Sequence, residues 1–155
     1  MSKRKRPVDK TFKRAFSHYK PPEDLSVSEW AEQYRVLSRE SSAEAGRWRN
    51  SRTPYLVEIM DAFTDYRVKK ISVASSSQVG KSELELNLIG YIIDQDPSSI
   101  LHIQPTIDDA KKFSRLRIAP MLRDCKKIGG KVADVKGRDS SNTTLQKSFA
   151  GGMLT

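Results

Sequence analysis

Val68-Lys-Lys-Ile-Ser-Val-Ala-Ser75-Ser-Ser-Gln-Val-Gly-Lys-Ser82 contains the change of pattern that sets the architecture. Val68, Ile71, Val73 and Ala74 make a short β-type run, the serines at 75 to 77 turn the chain, and apolar residues at helical spacing follow from Leu84. A strand that turns tightly into a helix aims successive backbone N–H groups inward. The helix start adds a partial positive charge, so the turn suits an anion. The phosphate-loop pattern G-x-x-x-x-G-K-[ST] is met at every fixed position except the first, where Ser75 stands. Lys81 is therefore expected to neutralise the β- and γ-phosphates of ATP, and Ser82 to give its hydroxyl to Mg2+. Gly80 lets the backbone approach without a Cβ in the way. The predicted nucleotide loop is Ser75, Ser76, Ser77, Gln78, Val79, Gly80, Lys81 and Ser82. A solvated Gly-Lys-Ser turn is the bland alternative, and the β-run before it with the helix after it favours the loop.

Upstream, Ser26-Val-Ser-Glu29 has capping-box spacing and opens a helix through Tyr34, with Val27, Trp30 and Ala31 on one side. Ser38 to Arg52 has no apolar period and reads as a loop. Thr53-Pro54 starts an amphipathic helix carrying Leu56, Val57, Ile59, Met60 and Phe63. Downstream, the helix from Lys81 reaches about Ile93, Asp96-Pro97 breaks the chain, and Ser99 to Ile103 reads as a second strand. Strand, turn, helix and strand predict a βαβ unit with parallel strands and a right-handed crossover. Thr106-x-x-Asp109 begins another helix to roughly Ile118, ended by Pro120. Lys126 to Asn142 reads as a connection, Thr143 to Phe149 as a third strand, and Met153 as the start of another.

The expected fold class is α/β: a P-loop NTPase of the RecA/helicase-like type, its parallel sheet flanked by helices, incomplete, behind a basic N-terminal leader. Residues 1–22 are expected to be a disordered basic leader, and 23–155 the N-terminal part of one ATPase domain. A length of 155 residues suits one domain. The net charge is +9, and residues 1–20 hold eight Lys or Arg against Asp9 alone, so most of the excess lies in the leader. With Phe12, Phe16 and Tyr19 interleaved, the leader reads either as a contact for double-stranded DNA or as a solvated tail. No apolar run approaches the roughly eighteen residues of a membrane span, and no apolar segment of a signal peptide follows Lys3-Arg-Lys-Arg6. Cys125 stands alone, which excludes an internal disulfide and a cysteine-rich zinc site. His18 and His102 form no triad or zinc spacing, and His102 reads as a packed residue. Asp108 and Asp109 suit the dipole of a helix's first turn, and Trp30 and Trp48 read as anchors on the core.

Five segments in order then resemble the GpA-like family of phage terminase large subunits. They are Ser28-Glu-Trp-Ala31 with Tyr34-Arg-Val-Leu-Ser38, Gly46-Arg-Trp48, Arg52-Thr-Pro-Tyr-Leu56, Gln78-Val-Gly-Lys-Ser82, and Gln104-Pro-Thr106. The resemblance covers about residues 26 to 118. It implies that Gln78 to Ser82 is the Walker A segment, and that Arg52 and Tyr55 fall at the adenine-binding motif. Tyr55 would stack on the base, or is an ordinary first-turn helix residue. Gln104 and Thr106 would couple nucleotide state to DNA, or simply end a strand. The resemblance further implies ATP with Mg2+, double-stranded DNA, a small terminase subunit, a capsid portal, and homo-oligomers in the full-length motor. A phage- or prophage-encoded protein in the bacterial host cytoplasm is the implied setting.

The departures are Ser75 for the first glycine and Ser77 where many packaging motors carry a basic residue. No carboxylate after Lys81 ends an apolar strand as the Asp-Glu pair that such a motor uses for Mg2+ and water. That acidic motif and the family's endonuclease domain are expected downstream of Thr155. The chain thus reads as the ATP-binding portion of a DNA-packaging motor. A helicase-like P-loop ATPase and a non-catalytic DNA-binding or assembly remnant are the alternatives.

Overall fold

Ser26 opens the first helix, α1 (Val27–Tyr34), through the reciprocal bonds its spacing predicts: its side chain accepts from the Glu29 N–H, and the Glu29 carboxylate accepts from the Ser26 N–H at 2.9 Å. The computed structural model describes residues 23–40, 42, 44–132 and 143–155. The basic leader at 1–22 and residues 133–142 of the expected connection lie outside the described residues.

The helix α1 buries Val27, Trp30 and Ala31 against α3 (Lys81–Asp94). The six-membered ring of the Trp30 indole packs against Gly90, where an added Cβ would come 2.3 Å from it. The same indole donates its Nε1–H to Asp94 at 2.9 Å, and Asp94 also faces the Lys131 ammonium at 2.5 Å. Around this lock the core gathers Met60 from α2 (Val57–Ala62), Leu86 and Ile93 from α3, and Trp48 from the chain between α1 and α2. Both tryptophans are therefore core anchors, as the sequence suggests.

The loop expected over Ser38–Arg52 holds the second strand of a short antiparallel hairpin, β2 (Gly46–Arg47), which pairs with β1 (Val36–Leu37) just ahead of it. Backbone pairing makes it, continued by the Trp48 N–H on the Arg35 carbonyl at 3.0 Å, so no apolar alternation announces it. Thr53-Pro54 does open a helical segment. It begins as a 3-10 turn (Pro54–Leu56) that passes into α2, without a side-chain cap from Thr53. The helix from Thr106 is capped as expected, with the Asp109 N–H on the Thr106 hydroxyl at 3.1 Å. It does not stop at Pro120. α4 (Ile107–Phe113) widens into a π-turn (Ser114–Ile118) and continues as α5 (Ala119–Asp124). Pro120 falls in the first turn after the wide turn, where its missing N–H does least harm. A further helical turn, α6 (Lys126–Gly129), then occupies the start of the expected connection and buries Ile128.

The strands are sparser than the sequence predicts. Val68 to Ala74 forms no ladder among the described residues and is exposed. Of Ser99–Ile103, Ile100 alone makes a bridge, parallel to Leu154, with Ile100 N–H on the Met153 carbonyl at 2.8 Å and His102 N–H on that of Thr155 at 2.9 Å. The third expected strand shortens to β3 (Lys147–Phe149), paired antiparallel with β4 (Gly152–Leu154). Gly151 at φ +95° turns that hairpin. A β-run becomes a strand only when a partner takes its backbone groups, and local pattern cannot supply one. The architecture is thus a mixed helix-and-strand fold, and no helix among the described residues is long and apolar enough to cross a membrane.

Two outcomes follow. Gly90→Ala drives a methyl into the Trp30 ring and should lower stability by about 2 kcal/mol, read from urea unfolding midpoints. Burial pushes the Asp94 carboxyl up, but its bonds from Lys131, Trp30 and Gln95 outweigh this and hold it below the usual range. A depressed carboxylate stabilises above its unfolded-state pKa and loses that contribution as pH falls through the folded value. Asp94→Asn should therefore flatten the acid limb of a stability–pH curve, and an unchanged limb would remove Asp94 from that role.

Candidate functional site

Two backbone residues with positive φ shape the chain ahead of α3. Gln78 adopts φ 61° and Gly80, the residue that caps α3, φ 88°. An L-residue in that region costs about 1–2 kcal/mol, a strain that gathers at sites where the surrounding fold dictates the backbone. Gly80 is also tightly seated, since a Cβ there would lie 3.3 Å from Leu56 Cδ1. The 3-10 turn holding Leu56 thus braces the loop from below.

Lys81 reaches back across the loop. Its ammonium donates to the carbonyls of Ser75 at 2.9 Å and Ser76 at 2.6 Å. An ammonium has three donors, so this arrangement leaves one for an incoming anion and allows the other two to be exchanged for stronger charge-assisted bonds. Ser82 is exposed on the first turn of α3, with its hydroxyl beside the same helix start. That donor set fits a phosphate with Mg2+. The cation needs few protein ligands because it keeps several waters and takes phosphate oxygens. No cluster of three His, Cys, Asp or Glu able to hold a metal occurs among the described residues.

The residues read from sequence as an adenine side meet the loop in space. Tyr55 donates its hydroxyl to the Val79 carbonyl at 3.1 Å and remains 55% exposed as a residue. Arg52 pairs with Glu44 at 2.9 Å. Arg52, Tyr55, Trp48, Gln78, Val79, Gly80 and Glu83 line one cleft of about 730 Å3. Such a volume and an exposed aromatic face suit a nucleoside. Ser75, Ser76, Ser77, Lys81 and Ser82 are not on its wall; Lys81 instead borders a second opening of about 520 Å3 beneath Val68–Val73. Gln104 and Thr106 lie apart from the cleft. Thr106 caps α4, and Gln104 reaches α3 only through His102, which contacts Glu85.

One part of the site has no counterpart in the sequence reading. Arg35, 1% exposed, holds Glu83 Oε2 at 2.9 Å, and Arg117 from the π-turn stands 3.6 Å from Glu83 Oε1. Burial pushes the Arg35 guanidinium below its ordinary value, and the Glu83 charge opposes that push. The pair ties the first turn of α3 to the β1–β2 hairpin and so fixes the cleft's two walls. Tyr34-Arg-Val-Leu-Ser38 was visible as a pattern, but a buried charge declares itself only through its partner.

Residues 42–155 match the family model described as phage terminase large subunit gpA, ATPase domain. Two curated relatives are similar: the terminase large subunit of Escherichia phage lambda, 28% identical over 131 residues, and that of Enterobacteria phage P21, 26% identical over 132. These alignments cover 84% and 85% of this chain and 20% of each relative, so the chain spans about a fifth of their length. No solved structure matches.

Arg35→Ala strands the Glu83 carboxylate and should destabilise the protein by about 3 kcal/mol, measured by chemical denaturation. A loss below about 1 kcal/mol would show that the pair is no more than a surface contact.

Proposed function

The chain belongs to the gpA family of phage terminase large subunits through its ATPase domain, and from that membership we propose that Ser75–Ser82 is the Walker A loop of a viral DNA-packaging motor. The observation that carries this reading is the joining of Gln78, Val79 and Gly80, the residues that lead directly into Lys81, to Tyr55 and Arg52 in a single cleft. Two segments more than twenty residues apart meet there, one leading directly into Lys81 and Ser82 and the other suited to a base.

Lys81 and the N–H groups at the start of α3 hold the β- and γ-phosphates, Ser82 takes one Mg2+ position, and Tyr55 stacks on the adenine with Arg52 beside it. The bound Mg2+ supplies charge neutralisation across the phosphates. Gly80 and Gln78 hold the backbone turned so that its N–H groups converge without being shielded by a side chain. Gln104 and Thr106 relay nucleotide state towards double-stranded DNA. Residues 23–155 are the nucleotide-binding part of a P-loop domain with a parallel sheet between helices, and the parallel contact of Ile100 with Leu154 supports that sheet. DNA cleavage, assembly into an oligomeric motor, and docking to a small terminase subunit and a portal in the host cytoplasm belong to the whole protein in this reading.

Equilibrium binding of Mg-ATP tests the loop. Lys81→Ala should weaken it by about one to two orders of magnitude, the worth of a charge-assisted bond of ~1.5–3 kcal/mol. ATP affinity that survives the substitution unchanged would take the loop out of nucleotide binding.

A further inference from the structure

One imidazole nitrogen serves two partners with opposite demands. His102 Nε2 lies 3.2 Å from Glu85 Oε2 and 3.2 Å from the Gln104 side-chain amide nitrogen. The ring is fixed by stacking on Phe113, with centroids 4.5 Å apart and planes 23° apart, and the His102 side chain is only 16% exposed. Three elements therefore converge on it: α3 through Glu85, the turn before α4 through Gln104, and the end of α4 through Phe113.

A carboxylate only accepts, an amide NH2 only donates, and a neutral imidazole nitrogen does one or the other. When Nε2 carries the proton it donates to Glu85, and the Gln104 amide must turn its oxygen inward or withdraw. When Nε2 is bare it accepts from Gln104 and sets its lone pair against the Glu85 carboxylate. The junction thus has two arrangements, and whatever moves Glu85 selects between them. Glu85 lies four residues after Lys81, on the same face of α3.

We infer that His102 is a positioning residue that couples the phosphate-loop helix to the Gln104-Pro-Thr106 turn. The inference rests on the reading of Ser75–Ser82 as a nucleotide loop. As Lys81 exchanges the carbonyls of Ser75 and Ser76 for phosphate oxygens, the first turn of α3 resettles, Glu85 moves relative to His102 Nε2, and Gln104 is gripped or released. His102 touches neither nucleotide nor reacting atoms in this scheme.

Hydrogen exchange at the amides of Gln104, Thr106 and Ile107, with and without Mg-ATP, tests it beside equilibrium ATP binding. The wild-type protein should show a nucleotide-dependent change in exchange at these amides. His102→Phe keeps the ring stack but removes the nitrogen, and Glu85→Ala removes the acceptor at a half-exposed helix position that tolerates alanine. Each should reduce the nucleotide-dependent change about tenfold while ATP affinity stays within about threefold. Glu85→Gln, which keeps an acceptor, should retain it. Undiminished response in His102→Phe or Glu85→Ala, or ATP binding with no response in the wild type, overturns the coupling and leaves the nucleotide loop standing. Absence of ATP binding in the wild type overturns both.

Discussion

A guanidinium withdrawn from water has to be met by a negative charge or the fold around it fails, and at Arg35 the charge is Glu83. That requirement fixes the distance between the hairpin that follows α1 and the first turn of α3. Everything at the candidate site is hung on that distance: Trp48 and Arg52 come from one side, Gly80 and Lys81 from the other. The opposite end of α3 is held independently by the Trp30 indole and Asp94. A helix clamped by a charge pair near its start and by a ring and a carboxylate near its end keeps little freedom to slide. It can still rock about its first turn, where Lys81 and the left-handed loop sit.

In the reading proposed above, the loop itself is prepared for an anion at some cost. Gln78 occupies a region that suits glycine or asparagine, and Lys81 spends two donors on its own loop's carbonyls. Both features hold the backbone in shape. On that reading they also give an incoming phosphate something to displace, so that binding would trade neutral carbonyl bonds for charge-assisted ones. Tyr55 joins the two halves from outside through Val79, and the aromatic wall therefore moves with the loop.

Much of this was legible in the sequence, and the parts that were share one property: their meaning is local. The Ser26–Glu29 box, Thr106 with Asp109, the helix from Lys81 and the tryptophan anchors depend on neighbours within one turn or on simple burial. The meeting of Arg52 and Tyr55 with the loop was legible as well, though only through the resemblance, since nothing in their spacing demands it. What could not be read depends on distant chain. Val68–Ala74 has the composition of a strand and no partner among the described residues. Arg35 and Glu83 are forty-eight positions apart. His102 is recognisable as a packed residue, but the divided allegiance of its nitrogen exists only once Glu85 and Gln104 are brought to it. Pro120 misled for a related reason, because a proline stops a regular helix and the turn before it is not regular.

That wide turn at Ser114–Ile118 carries a consequence for how this chain can change length. A π-turn takes about one more residue than the α-helical turn it replaces, so it absorbs an insertion without rotating the segments on either side. Loss of one residue there would close the turn to ordinary helix and leave Met121 and Cys125 facing the core. The casualty would be the reach of Arg117 towards Glu83. Core packing and the ion pair to α3 are thereby separable along α4 and α5: the fold has one residue of slack at the point where it touches α3.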